Sequence, residues 1–178
     1  MSAMKKLLLA AGALVLVVAA SLVVGALQPV EHVASSRVEL AAERDAVWAA
    51  LADFASWPEW NGAADAMRRG DDRGGKPVWI MTSEWGDMPS VVETSEAPAK
   101  LVTRIPDDAD LGFTGSWTYA LEELPGGGTR VVVTEHGAVE SPLFRFFLLF
   151  TGYHGTQIEF LRDLAARFGE DVEPVPVE

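Results

Sequence analysis

The sequence predicts an α+β fold: a curved antiparallel sheet closed over one long C-terminal helix, behind an N-terminal transmembrane helix. Three observations carry the prediction. Residues 115–124 and 129–139 alternate polar and apolar side chains on either side of P-G-G-G, as a β-hairpin does. An aromatic-rich pattern of helical period follows from Pro142 to Phe168. At the other end, residues 7–27 carry no charge and match the roughly 20 residues that a membrane-spanning helix needs.

Taken in order, the apolar run comes first. Lys5 and Lys6 precede it and no basic cluster follows it directly. The positive-inside rule then keeps the N-terminus cytoplasmic and the rest of the chain outside, as a single-pass membrane protein. Val24, Gly25 and Ala26 also suit leader cleavage, and in that reading the domain is secreted. Residues 28–36, with Pro29 and small or polar side chains, read as a tether. The division is anchor and tether at 1–30, a domain at 31–169, and a disordered tail at 170–178.

Within the domain, residues 36–40 alternate as a half-buried strand. Val47, Trp48, Leu51 and Phe54 share one helical face over residues 43–54. Glu43 and Asp45 suit the positive end of that helix, and Pro58 ends it or begins a second short turn through Trp60 and Asn61. Residues 71–75 read as a turn, 77–84 and 87–96 as a hairpin reversing near Gly86, and 100–105 as a further strand. Residues 106–112 form an acidic loop before the last hairpin. Ser141 is the expected N-cap of the final helix, with Pro142 just inside. Leu143, Phe147, Phe150, His154, Ile158, Leu161, Ala165 and Phe168 recur along one stripe. Gly152 and Gly155 weaken its middle, which predicts a kink or a close backbone approach there.

Composition narrows the function. The net charge is −12, so the surface repels phosphate backbones and a nucleic-acid partner is not expected. There is no cysteine, hence no disulfide and no thiolate metal site. His32, His136 and His154 lack metal-ligand spacing, and Asp107, Asp108 and Asp110 lack the glycine and terminal glutamate of a calcium loop. Neither a metal nor a cofactor is expected. No phosphate loop or serine elbow is present.

Five stretches carry a family resemblance: V-W-A-A-L-A-D-F-A-S-W-P-E-W-N at 47–61, K-L-V-T-R-I at 100–105, G-S-W-T-Y-A-L at 115–121, G-G-T-R-V-V-V-T-E at 127–135 and S-P-L-F-R-F at 141–146. In these the chain resembles the START-like, or SRPBCC, superfamily, in its polyketide cyclase/dehydrase branch. The likeness spans about residues 33–169. It implies a helix-grip fold, with a sheet of about seven strands around the C-terminal helix and a cavity between them. Members bind lipids, sterols, hormones or polyketides, and a few are enzymes. The N-terminal anchor departs from the soluble cyclases.

Strand parity selects the inward residues. With Arg130 facing water, Val131, Val133 and Glu135 face the helix, and Trp117, Tyr119 and Leu121 do so from the preceding strand. Glu135 is the anomaly, since a carboxylate in an apolar cavity must be paired, hydrated or protonated. It reads either as a solvated residue at the rim or as a polar handle or general base. His154 reads either as a core histidine or as Glu135's acid–base partner, with Tyr153 beside it. Trp79, Trp117, Tyr119, Val131, Val133, Glu135, Phe147, Phe150, Tyr153 and His154 are the candidate ligand contacts, and Glu135 and His154 the candidate catalytic pair. Arg104 falls on the outward parity and reads as a surface ion pair. The leading expectation is membrane-tethered binding of a hydrophobic small molecule or lipid. A cyclase or dehydratase using Glu135 is the alternative, and an interaction module with a collapsed cavity is the third.

Overall fold

The computed structural model describes residues 3–177. The chain begins with α1 (Ala3–Ala26) and enters the domain through β1 (Glu31–Leu40). Then come α2 (Arg44–Ala52), a 3-10 helix (Phe54–Glu59), β2 (Ala66–Arg73), β3 (Lys76–Ser83), β4 (Gly86–Glu96), β5 (Lys100–Arg104), β6 (Phe113–Glu123) and β7 (Thr129–Val139). α3 (Pro142–Thr151), α4 (Gly155–Arg167) and β8 (Val175–Val177) complete it. Among the described residues the strands form one antiparallel sheet in the order β2-β3-β4-β5-β6-β7-β1-β8. The sheet curves around α4, which is the helix-grip arrangement.

Four elements differ from the sequence reading. β1 begins at Glu31, inside the segment read as tether. Its small polar residues alternate in burial and gain their partners from β7, from Glu31 opposite Ala138 to Leu40 opposite Thr129. β2 absorbs Asp71–Arg73, which leaves Gly74 and Gly75 to make the reversal at φ +58° and +76°. The final helix is two helices. Gly152 adopts φ +71°, a value that an L-residue rarely takes, and the chain turns there before α4 starts. The tail expected to be disordered instead adds β8 beside Ser35–Arg37 of β1. Pro176 is tolerated because β8 is an edge strand.

The core lies between α4, α2 and the concave face of the sheet. Leu161, Leu164 and Ala165 of α4 are fully buried, with Val47 and Leu51 of α2 and Val38, Val131 and Val133 of the sheet. Phe54, Trp57, Trp60, Tyr119 and Phe160 form a chain of ring contacts 5.0–6.3 Å apart. Trp57 donates its indole N–H to the Leu51 carbonyl at 3.2 Å, so its one polar atom is satisfied inside this cluster. Glu170, just past α4, accepts from the backbone N–H of Ala41 at 2.8 Å and Ala42 at 3.1 Å, which ties the helix exit to the end of β1.

Candidate functional site

The register of the sheet decides what meets on its concave face. Trp117 of β6 lies opposite Glu135 of β7, and Ala34 of β1 opposite the same Glu135. Tyr119 and Val133 are paired in the next inward row, with Leu121 and Val131 in the one after. Val131 and Val133 are buried in the core, and Trp117 is half-buried beside it. Thr103 of β5, also buried, lies opposite Trp117 on its other side.

Glu135 is held at the centre of this row. Its Oε2 accepts from the Trp117 indole N–H at 3.2 Å and lies 3.5 Å from the Gln157 amide nitrogen of α4. Its Oε1 lies 3.2 Å from His32 Nε2. The two side chains are 15 % and 10 % exposed, so the carboxylate is partly lifted from water and compensated by hydrogen bonds. The same Gln157 amide nitrogen also donates to the Ala34 carbonyl at 3.1 Å. Two buried polar atoms beside the carboxylate, Gln157 Oε1 and His32 Nδ1, have no protein partner. Such atoms are rare in folded proteins.

The structure brings His32, not His154, to Glu135. The His154 ring instead meets Ser36 through Nδ1 at 3.2 Å. Tyr153 reaches the site indirectly, its ring stacked on His32 with centroids 4.0 Å apart. Trp79 lies on the far limb of the sheet, stacked on Phe54 at 5.6 Å. Phe147 and Phe150 stand on α3, both exposed, and make their ring contacts with Phe146. His32 and Gln157 are the residues that sequence reasoning missed. His32 sat in a supposed tether, and its parity with Ala34, Ser36 and Val38 was the available signal. Gln157 precedes Ile158 and Leu161 on the helical pattern and was hidden among apolar neighbours.

Tyr119 lies beneath this row. Burial pushes its phenol well above the ordinary tyrosine range, the Thr103 hydroxyl offsets part of that shift, and the Glu135 charge adds to it. Its hydroxyl therefore stays protonated near neutral pH. On the outside of the sheet a cavity of about 530 Å³ is lined by Arg73, Lys76, Glu93, Arg104 and Asp108 among others. Its charges are paired: Arg104 with Glu93 at 3.1 Å and Asp107 at 2.6 Å, Lys76 with Glu93, and Arg73 with Asp108. Arg104 is thus a surface ion pair, and this outer cavity does not suit an apolar guest.

The concave face carries one partly exposed carboxylate, Glu135, bonded by the Trp117 and His32 rings, which can bond a hydroxyl or carbonyl at one point. Among the described residues no group of three or more His, Asp or Glu is placed to hold a metal ion.

The model of the family described as "Polyketide cyclase / dehydrase and lipid transport" matches residues 31–169. No curated protein matches the chain significantly. Among solved structures, the chain is similar to a START superfamily protein from Mycobacterium smegmatis, with a TM-score of 0.60 and 18 % identity over 76 % of this chain and 96 % of that one. It is similar to the Zhui aromatase/cyclase from Streptomyces sp. R1128, with a TM-score of 0.63 and 16 % identity over 77 % and 93 %. It is also similar to norcoclaurine synthase from Thalictrum flavum, with a TM-score of 0.61 and 14 % identity over 79 % and 88 %. At these identities the likeness is one of fold.

Proposed function

Since the chain belongs to the polyketide cyclase/dehydrase and lipid transport family, we propose that it binds a hydrophobic small molecule or lipid in the groove between sheet and C-terminal helix, tethered to a membrane by α1. The observation that supports this most is the setting of Glu135. One carboxylate, bonded by Trp117 and His32, stands on the concave face among apolar side chains, beside two buried polar atoms with no protein partner. The apolar wall supplies affinity and the polar point supplies orientation, which is the usual division in small-molecule sites. α1 supports the tether: it is long and apolar enough to cross a bilayer, with only 6 % of its central window buried. With Lys5 and Lys6 at its start, the domain lies outside the cytoplasm in this reading.

The His32–Glu135 contact favours a second reading, a cyclase or dehydratase. Glu135 would take a proton from a carbon next to a ketone, and His32, on its other side, would steady the carboxylate. One substitution separates the two. Glu135→Gln keeps an oxygen for the Trp117 N–H and removes the base. Native mass spectrometry of the full chain from its own host, with lipid extraction, identifies the guest. A binding protein retains that guest in Glu135→Gln within about tenfold in affinity, the scale of one hydrogen bond. An enzyme loses about 10²–10⁴ in turnover of it while still binding. A chain that carries no apolar guest, in either form, overturns both readings.

A further inference from the structure

α3 is not used by the groove, and its composition needs an explanation. It reads Pro-Leu-Phe-Arg-Phe-Phe-Leu-Leu-Phe-Thr, and its one charge, Arg145, is buried. Phe144, Phe147, Leu149 and Phe150 are 57 %, 55 %, 50 % and 75 % exposed. Four large apolar side chains on ten residues, without protein over them, form a patch of the kind that marks an interaction surface.

The position of α3 says what covers it. After β7 the chain does not lay α3 on the sheet. It packs α3 against α1, whose two buried residues are Ser21 and Gly25, one turn apart on one face. At Gly25 the backbones nearly touch: a Cβ there would lie 1.7 Å from the Pro142 carbonyl oxygen. The Ser21 hydroxyl is satisfied within its own helix by Val17, at 3.0 Å. Small residues one turn apart are how helices approach closely in lipid.

Depth follows from this contact. The 24 residues of α1 run about 36 Å at 1.5 Å each, against a hydrocarbon core of about 30 Å. The last turns of a spanning α1 therefore lie in the leaflet on the domain's side, and a helix packed along them lies there too. Arg145 fits that depth because its guanidinium faces protein. It donates to the Gly25 carbonyl at 2.9 Å, Val139 at 2.7 Å and Glu140 at 2.8 Å. No charge is left on the outer side of α3.

We propose that α3 is a second membrane-embedded element, which sinks Phe147 and Phe150 among the acyl chains of that leaflet. The inference rests on the reading of α1 as a span and deepens the proposed function. α3 ends at Gly152, and the next two residues are Tyr153, stacked on His32, and His154, bonded to Ser36. In this reading the Glu135 row lies next to the bilayer surface, and its ligand is drawn from the bilayer itself.

The test uses the full chain, which has no cysteine, so each introduced thiol is unique. Leu14→Cys, Phe147→Cys, Phe150→Cys and Trp85→Cys are labelled with a polarity-sensitive fluorophore in phosphatidylcholine–phosphatidylglycerol vesicles. Trp85, 87 % exposed at the β3–β4 turn, is the water control. The labels at 147 and 150 are expected to lose emission to nitroxide-bearing lipids as the label at 14 does, and to resist iodide, while the label at 85 behaves oppositely. Iodide quenching at 147 and 150 with lipid quenching at 14 overturns the proposal and leaves the anchor standing. Iodide quenching at 14 overturns the anchor and the proposal together. Protection at 147 and 150 from both quenchers, with energy transfer between labelled copies, assigns the face to a second copy and also overturns it.

Discussion

Gly137 decides whether His32 and Glu135 can meet. It faces the same side of β7 as Glu135, one row away and opposite His32, and a Cβ there would lie 2.4 Å from His32 Cε1 and 3.0 Å from Glu135 Oε1. Gly137→Ala is expected to cost about 1–3 kcal/mol in urea denaturation, as overpacking does, and to move the His32 ring signals in NMR spectra. The double variant with His32→Ala should recover most of that loss, which shows that the ring is what clashes. Tyr119 makes a prediction on pH. Its phenol is raised above the ordinary value by burial, so the folded state holds the proton longer than the unfolded state does. The stability this contributes is whole below about pH 10 and falls as pH rises beyond it. Denaturation followed between about pH 9 and 12 should show that fall, and Tyr119→Phe should flatten it. Glu135 could be picked out from sequence because Arg130 fixed the parity of its strand. His32 had only the faint parity of its strand, because β1's partner, β7, lies about a hundred residues further along, and short polar side chains blur the alternation.

The joint between α1 and α3 is the element on which the domain's attachment turns. Arg145 is 5 % exposed, has three backbone carbonyls as acceptors and, among the described residues, bonds no carboxylate. A cation among the last carbonyls of α1 also meets the negative end of that helix. Arg145→Leu leaves those carbonyls unsatisfied and is expected to cost about 3 kcal/mol, read as a lower Tm in detergent. Gly25→Val should separate the two helices by steric contact alone, with the groove intact, so ligand retention should survive while the label at position 147 gains access to iodide. The helical period from Pro142 onward was legible as sequence. Its division was not, because glycine costs only about 1 kcal/mol in a helix and does not by itself end one. What ends α3 is the positive φ at Gly152, together with a competing apolar partner, α1, on which the first half docks. Ser21 and Gly25, small and one turn apart, were the signal for that partner.

At the scale of the whole chain, α1 packs on the domain through α3. A form that starts at Gln28 removes the Gly25 carbonyl from Arg145 and uncovers the inner side of α3. It is expected to scatter light without detergent and to lose about 1–3 kcal/mol, the cost of one unsatisfied buried donor. Light scattering and a thermal melt of both forms, side by side, check this. The fold class could be read because strand alternation and helical period are local patterns. The circuit of the strands is not local. β1, the first to leave the ribosome, lies between β7 and β8, the last two. α1 likewise waits for α3, which follows it by more than a hundred residues. Synthesis runs from one end, so the earliest parts of this protein stay unpaired until the latest arrive. A nascent chain must then keep an open strand for most of its production, and that interval is when it most needs a chaperone.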